Sequence, residues 1–250
     1  MKQNEKLIVI DACLLAGKIM MQSGAETYRA EDTMIRMAAA CGFPNSQSYV
    51  THTGIIFSLE NLDPTQVVRI NERGTNLEKI ALVNDISRKI TAGVIDAETG
   101  YAELKKLSKE NLASPIWLQI IAASIASGCF LIMFRGIWAD FLPAMLISGV
   151  GFSAFLLLHH HTKVKFFAES TASFVIGLLA LLLVKNGLGH QLDIIVIASV
   201  MPLVPGLLIT NAIRDLMAGH FLSGLSKGAE AFFTALAIGT GVAVVYSLFI

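Results

Sequence analysis

Ile194–Ile213, IIVIASVMPLVPGLLITNAI, is the stretch on which the rest of the chain turns. It is apolar almost throughout and long enough to cross a bilayer as a helix. Pro202, Pro205 and Gly206 nevertheless interrupt it near its middle. A proline removes a backbone donor and clashes with the preceding turn, and inside lipid a freed carbonyl finds no water. Such a break survives where it packs on protein or lines a cavity, and broken spans near the bilayer midplane hold the substrate in many transporters. A proline kink in an ordinary packed span is the alternative.

Four more apolar stretches surround it, at about 115–134, 138–159, 166–184 and 229–250, so five spans are expected in all. The chain has 250 residues, 54% of them hydrophobic and 15% charged, but the charge is uneven. Residues 1–114 hold 13 of the 19 Lys and Arg and 14 of the 19 Asp and Glu. The expected fold is therefore mainly α: an N-terminal α+β domain over 1–114, built of helices and a β-hairpin, then a five-span helical membrane domain over 115–250. Zero net charge argues against nucleic acid as a partner, and none is expected. Cys13, Cys41 and Cys129 are scattered, without metal-ligand spacing, and read as free thiols. The apolar run Leu7–Met21 contains Asp11 and Lys18 and precedes no small-residue cleavage site, so it is not read as a signal peptide.

Positive residues give the orientation. Lys105, Lys106, Lys109, Lys163, Lys165, Arg214 and Lys227 flank the spans on one side, Arg135 and Lys185 on the other. The bias puts the N-terminal half in the cytoplasm and Ile250 outside. Small residues four apart (Ser124/Gly128, Gly149/Ser153, Ala237/Gly241) suit close helix packing within or between subunits.

Within the N-terminal half, residues 4–22 predict a helix with Asn4, Asp11, Lys18 and Gln22 on one stripe. Ser23-Gly24-Ala25-Glu26 matches a capping box opening a second helix to about Ala40, with Asp32 and Arg36 paired at i,i+4. Tyr49–Leu59 alternates as a strand, and Gln66–Asn71 is its partner across the turn Asn61-Leu62-Asp63-Pro64. Thr75-Asn76-Leu77-Glu78 predicts another capping box, and Asp96 the cap of a last helix. No nucleotide-binding loop, metal cluster or nucleophile–base motif occurs in this half, and no cofactor is expected.

Polar groups inside the spans are few. Glu169, Ser170, Thr171 and Ser173 fall at the cytoplasmic end of the third, and Thr210, Asn211, Arg214 and Asp215 at that of the fourth. Charge at membrane depth is costly and usually functional, although water can reach groups this close to the interface, so a structural role for Glu169 and Asp215 stands beside a functional one. His159-His160-His161 reads as a solvated loop in preference to a metal or pH-sensing site, because adjacent residues cannot all turn to one ion.

The segment Ser23-Gly24-Ala25-Glu26-Thr27-Tyr28-Arg29-Ala30-Glu31-Asp32-Thr33, together with Pro202-Leu203-Val204-Pro205-Gly206 and Asn211-Ala212-Ile213-Arg214-Asp215, resembles the threonine/serine exporter family. The order of elements agrees over essentially the whole chain. Larger members are similar to this chain followed by a second five-span block. Smaller ones resemble a two-component system, including succinate exporters, with that block on a separate chain. The resemblance implies an inner-membrane exporter subunit for threonine, serine or a dicarboxylate such as succinate, expected to be driven by the proton gradient and to work with a second five-span subunit. With only five spans and several small-residue faces, the chain is expected to be oligomeric, with itself or with that second chain. Five is odd, so a second block fused after this one would run inverted, the arrangement that builds a central site between repeats.

Substrate-binding residues are then expected at Pro202, Pro205, Gly206, Thr210, Asn211, Asp215, Glu169, Ser170 and Ser173. A cytoplasmic gate or vestibule is expected at Ser23, Glu26, Arg29 and Asp32, although capping and surface ion pairs account for Ser23, Glu26, Asp32 and Arg36 without a ligand. No Lys or Arg sits deep in a span to meet a carboxylate, and no residue separates an amino acid from a dicarboxylate. A membrane-anchored accessory or sensor protein is the competing reading. An intramembrane hydrolase is disfavoured, because the spans carry neither Gly-x-Ser-Gly nor Gly-x-Gly-Asp.

Overall fold

The computed structural model describes residues 3–59 and 64–249. The chain groups into two units, 1–113 with 207–228 and 114–206 with 229–250. The first change of unit falls after residue 113, and the segment 207–228 belongs with the N-terminal residues.

In the first unit, α1 (Gln3–Gln22) buries Val9, Cys13, Ala16 and Met20 and leaves Asp11 exposed. It lies against α2 (Thr27–Ala40), which buries Ala30, Met34, Met37 and Ala38 along one stripe. Gly17 allows the close approach: a Cβ there would strike the Met34 sulfur. Three antiparallel strands follow, β1 (Gln47–Val50), β2 (Gly54–Ser58) and β3 (Gln66–Arg69), in sheet order β1-β2-β3. The single strand expected over 49–59 is in fact two. Thr51 closes a turn with Gly54, its N–H and hydroxyl both donating to the Gly54 carbonyl. Val50 thereby pairs with Ile55, both buried, and Tyr49 with Ile56, both outside. The strand expected at 66–71 ends at Arg69, and residues 61–63 of the expected turn lie outside the described residues. α3 (Leu77–Thr91) and α4 (Ala97–Lys109) complete this core with Ile80, Val83 and Leu104.

The caps differ from expectation in register. Asn76, not Thr75, caps α3 by accepting from Lys79 N–H, while Asp96 caps α4 as predicted. Ser23 opens no helix. Its N–H bonds back to Ile19 and Met20, Gly24 turns with φ +85°, and α2 begins only at Thr27. Ser-Gly is the C-terminal turn of α1, and the α2 cap comes from elsewhere in the chain.

The second unit contains α5 (Ile116–Met133), α6 (Phe141–Thr162), α7 (Lys165–Lys185) and α8 (Leu192–Val200), which runs on into a 3-10 turn at Met201–Leu203. α9 (Gly206–Met217) lies almost wholly in the first unit, and α10 (Phe221–Phe249) begins in the first and continues into the second. Among the described residues four helices are long and apolar enough to cross a membrane, or five if α8 and α9, bent by 63° at their break, count as one span. The last helix starts at Phe221 rather than at 229, and the histidines 159–161 form the exposed end of α6 rather than a loop. The interior holds Leu131, Ala144, Ile147, Ile176 and Ile195, while Ile121, Leu142, Leu146, Phe232 and Leu236 face outward. Small residues bring helices together as their spacing suggested: a Cβ on Gly149 would meet Ser124 of α5, and one on Gly241 would collide with the Ser170 carbonyl of α7.

Candidate functional site

The two motifs that lie about 180 residues apart meet in the first unit. A helix leaves its first N–H groups without intrahelical partners. At α2 the missing acceptor is Asp215 of α9. Its Oδ1 accepts from the Thr27 backbone N–H at 2.9 Å and its Oδ2 from the Thr27 hydroxyl at 2.8 Å. An anion at this end of a helix also meets the positive pole of its dipole. The Lys227 ammonium, on the first turns of α10, donates to Asp215 Oδ2 at 2.7 Å, to the Ala25 carbonyl at 3.1 Å and to Thr27 Oγ1 at 3.4 Å. Asp215 is 0% exposed and Lys227 2%, so this is an ion pair removed from water with its hydrogen-bonding capacity filled.

Around this centre, Asn211 donates to the Gly24 carbonyl at 2.8 Å. Glu26 is clasped between two guanidiniums, Arg214 at 2.6 Å and Arg29 at 3.3 Å. Burial works against ionisation of Glu26, but a backbone N–H and the two arginines overcome it and hold its carboxyl below the ordinary range. Glu31 accepts from Val50 N–H at 2.7 Å and faces His220 at 3.6 Å. Its carboxyl is pushed up, chiefly by burial and further by Asp215, against the Val50 hydrogen bond and His220.

Of the residues expected at a gate, Glu26 and Arg29 are in this cluster. Ser23 is buried beside it and lines a separate cleft of about 380 Å³ with Arg73, Asn76 and Lys79. Asp32 points away, in an exposed pair with Arg36 at 2.8 Å. Asn211 and Asp215, expected to bind substrate, hold α9 to the start of α2. Thr210 donates to the Leu207 carbonyl on the same helix.

The remaining expected residues lie in the second unit. Pro202 is in the 3-10 turn after α8, Pro205 lies in the break before α9, and Gly206 is the first residue of α9. Glu169, Ser170 and Ser173 lie on α7. Ser173 bonds back to the Glu169 carbonyl, and Ser170 backs onto Gly241 of α10. Beside Glu169, Lys165 pairs with Glu230 of α10 at 2.8 Å and reaches Glu169 at 4.0 Å.

Thr27, Lys227, Lys165 and Glu230 did not stand out in the sequence as site residues. Lys227 carries a signal, a lone lysine between Gly224 and Gly228, but its place beside the spans groups it with the residues that give the orientation. No motif in the sequence marks Asp140 either. It is fully buried and accepts from the backbone N–H groups of His190 and Gln191, tying the start of α6 to the start of α8.

A bundle of long apolar helices with a broken stretch is the architecture of a multi-pass membrane protein. Residues 11–249 match the family model described as "Putative threonine/serine exporter", and the chain belongs to the threonine/serine exporter family. It is 26% identical, over 98% of its length and 96% of the relative's, to a Klebsiella aerogenes protein named "Probable succinate transporter subunit YjjP". Its identity to the Escherichia coli protein of the same name is 25%, over 99% and 97% of the two chains. A Mycobacterium tuberculosis protein named "Probable threonine/serine exporter" is 24% identical over 94% of this chain but only 45% of its own length. No solved structure matches.

Proposed function

We propose that this chain is one subunit of a proton-driven inner-membrane exporter of small carboxylate-bearing metabolites and works with a second membrane subunit. The observation that carries the reading is coverage. The chain is similar end to end to relatives named as transporter subunits and to under half of the relative named as an exporter in its own right. Succinate is the favoured substrate because those subunit relatives carry that name, with threonine and serine next.

Three features support a transport role. A break in an apolar stretch frees backbone groups that a ligand can use, and the backbone ends at Pro202–Gly206, with Ser170 and Ser173, are the proposed substrate contacts. Backbone N–H groups at a helix start suit a carboxylate where no deep cation is available. The cluster centred on Asp215 is proposed as the cytoplasmic gate, since it fixes the C-terminal half of α9 to the start of α2 through groups that a substrate carboxylate could compete for. The positive-residue bias supports a cytoplasmic N-terminal half.

Efflux from cells with and without this chain, and with and without the gene encoded beside it, tests the reading with labelled succinate, threonine and serine. Loss of efflux of one of them on either deletion is expected. Undiminished efflux of all three, with changed expression or activity of a neighbouring transporter, would make the chain an accessory protein.

A further inference from the structure

We propose that Glu169 is the residue at which the membrane-embedded unit takes up and releases the driving proton. The proposal deepens the exporter reading and rests on it, giving Glu169 to the proton in place of the substrate contact expected from the sequence. Glu169 is 2% exposed on α7, and its Oε2 is buried without a hydrogen-bond partner. The Thr234 hydroxyl of α10, 0% exposed, faces it outside hydrogen-bonding geometry and is also without a partner. Two adjacent buried oxygens, each lacking a partner, are costly, and one hydrogen between them resolves both. On a protonated Glu169 the carboxyl O–H donates to Thr234 Oγ. On an ionised Glu169 the threonine hydroxyl donates back to the carboxylate.

The cation beside them is divided in the same way. Lys165 lies 2.8 Å from Glu230 and 4.0 Å from Glu169, so one ammonium serves two carboxylates. With Glu169 protonated, Lys165 is left to Glu230. When Glu169 loses its proton, a second anion competes for the same ammonium, and the attraction acts between α7 and α10. These helices touch backbone to backbone at Gly241, where no side chain cushions a shift. The charged groups facing Glu169 are thus Lys165 from its own helix and Glu230 from α10, with Thr234 as the neutral partner. A buried carboxylate whose charge state redistributes an interhelical ion pair is the arrangement that proton relays in membrane proteins use. No atom other than the proton is transferred. It leaves water on one side of the membrane, resides on Oε2, and returns to water on the other.

The test uses inside-out membrane vesicles from the native host, carrying either the unaltered gene, Glu169→Gln or Thr234→Val at the native locus, with a deletion strain as baseline. Two quantities are read with labelled succinate, threonine and serine: uptake driven by an imposed acid-inside pH gradient, and exchange at equal substrate concentration with no gradient. Glu169→Gln should lose gradient-driven uptake to the deletion baseline and keep exchange. Thr234→Val should shift the pH dependence of uptake and leave exchange intact. Gradient-driven uptake that survives Glu169→Gln overturns the proposal, as does exchange lost together with uptake in a variant present at normal levels. If Glu169→Gln fails to accumulate in the membrane, an unshifted pH profile in Thr234→Val overturns it instead. Wild-type vesicles that exchange substrate but ignore the gradient refute proton coupling and leave the exporter reading standing. Wild-type vesicles that move none of the three substrates remove the exporter reading and this proposal with it.

Discussion

At the scale of single residues, Lys227 and Asp215 carry the clearest consequence. Removing one member of a buried ion pair leaves an uncompensated charge, at a cost of about 3–5 kcal/mol. Lys227→Met is therefore expected to lower the unfolding midpoint of the purified protein sharply, and Asp215→Asn to do so while also weakening the cap on Thr27. Because the two share one contact, the double variant should lose less than the two single losses added together. Additive losses would mean that the groups do not act on each other. Glu26 gives a pH dependence. Its carboxyl is held below the ordinary range, so its contribution is present above the ordinary carboxylate value and is lost as pH falls through the lower folded value. Glu26→Gln should flatten that acid limb of a stability–pH curve, and an unchanged limb would assign it to other groups. Glu31 runs the other way: pushed up in the fold, it favours the folded state most below its ordinary value and loses that advantage as pH rises.

At the scale of elements, the break between α8 and α9 is the feature to test. Pro205 immediately precedes the first residue of α9, where a missing N–H costs nothing because that position has no intrahelical partner. Pro202 lies in a 3-10 turn rather than inside a regular helix. Pro202→Ala with Pro205→Ala should therefore leave thermal stability unchanged or raised, by at most the roughly 3 kcal/mol that an interior proline costs. Efflux should nevertheless collapse, because a continuous helix ties up the backbone groups proposed to meet the substrate. Normal efflux from the double variant would reduce the break to a packing kink.

For the whole molecule the prediction is topological. A reporter active only outside the cytoplasm should work when fused at Asn186, after α7, and stay silent at Asn111 or Thr162. Activity at Asn111 would reverse the orientation and place the Asp215 cluster on the far side. The same result would remove the gate from the substrate's entry side, so this measurement bears on the proposed function as well as on the fold.

Read alone, the sequence determined what composition and local chemistry control. Long apolar runs must satisfy their own backbone hydrogen bonds in lipid, so α5, α6, α7 and most of α10 were legible from hydropathy, and the prolines marked the break in the fourth stretch. Asp96 was legible as a cap because its partner, Thr99, is three residues away. What escaped was non-local. Ser23 and Glu26 match a capping box, yet α1 consumes Ser23 in its own C-terminal turn and the α2 cap arrives from Asp215, 188 residues along the chain. Alternation over 49–59 could not reveal the Thr51–Gly54 turn, because the same pattern continues on both sides of it. Lys227 and Lys165 read as positive residues flanking the spans on the cytoplasmic side, and Glu230 as the second residue of the last apolar stretch. Only the packing of α10 against α2 in one unit and against α7 in the other turned those charges inward. Local propensity is set by neighbours within a few residues, whereas burial of a charge and the partner that makes it tolerable are properties of the folded chain.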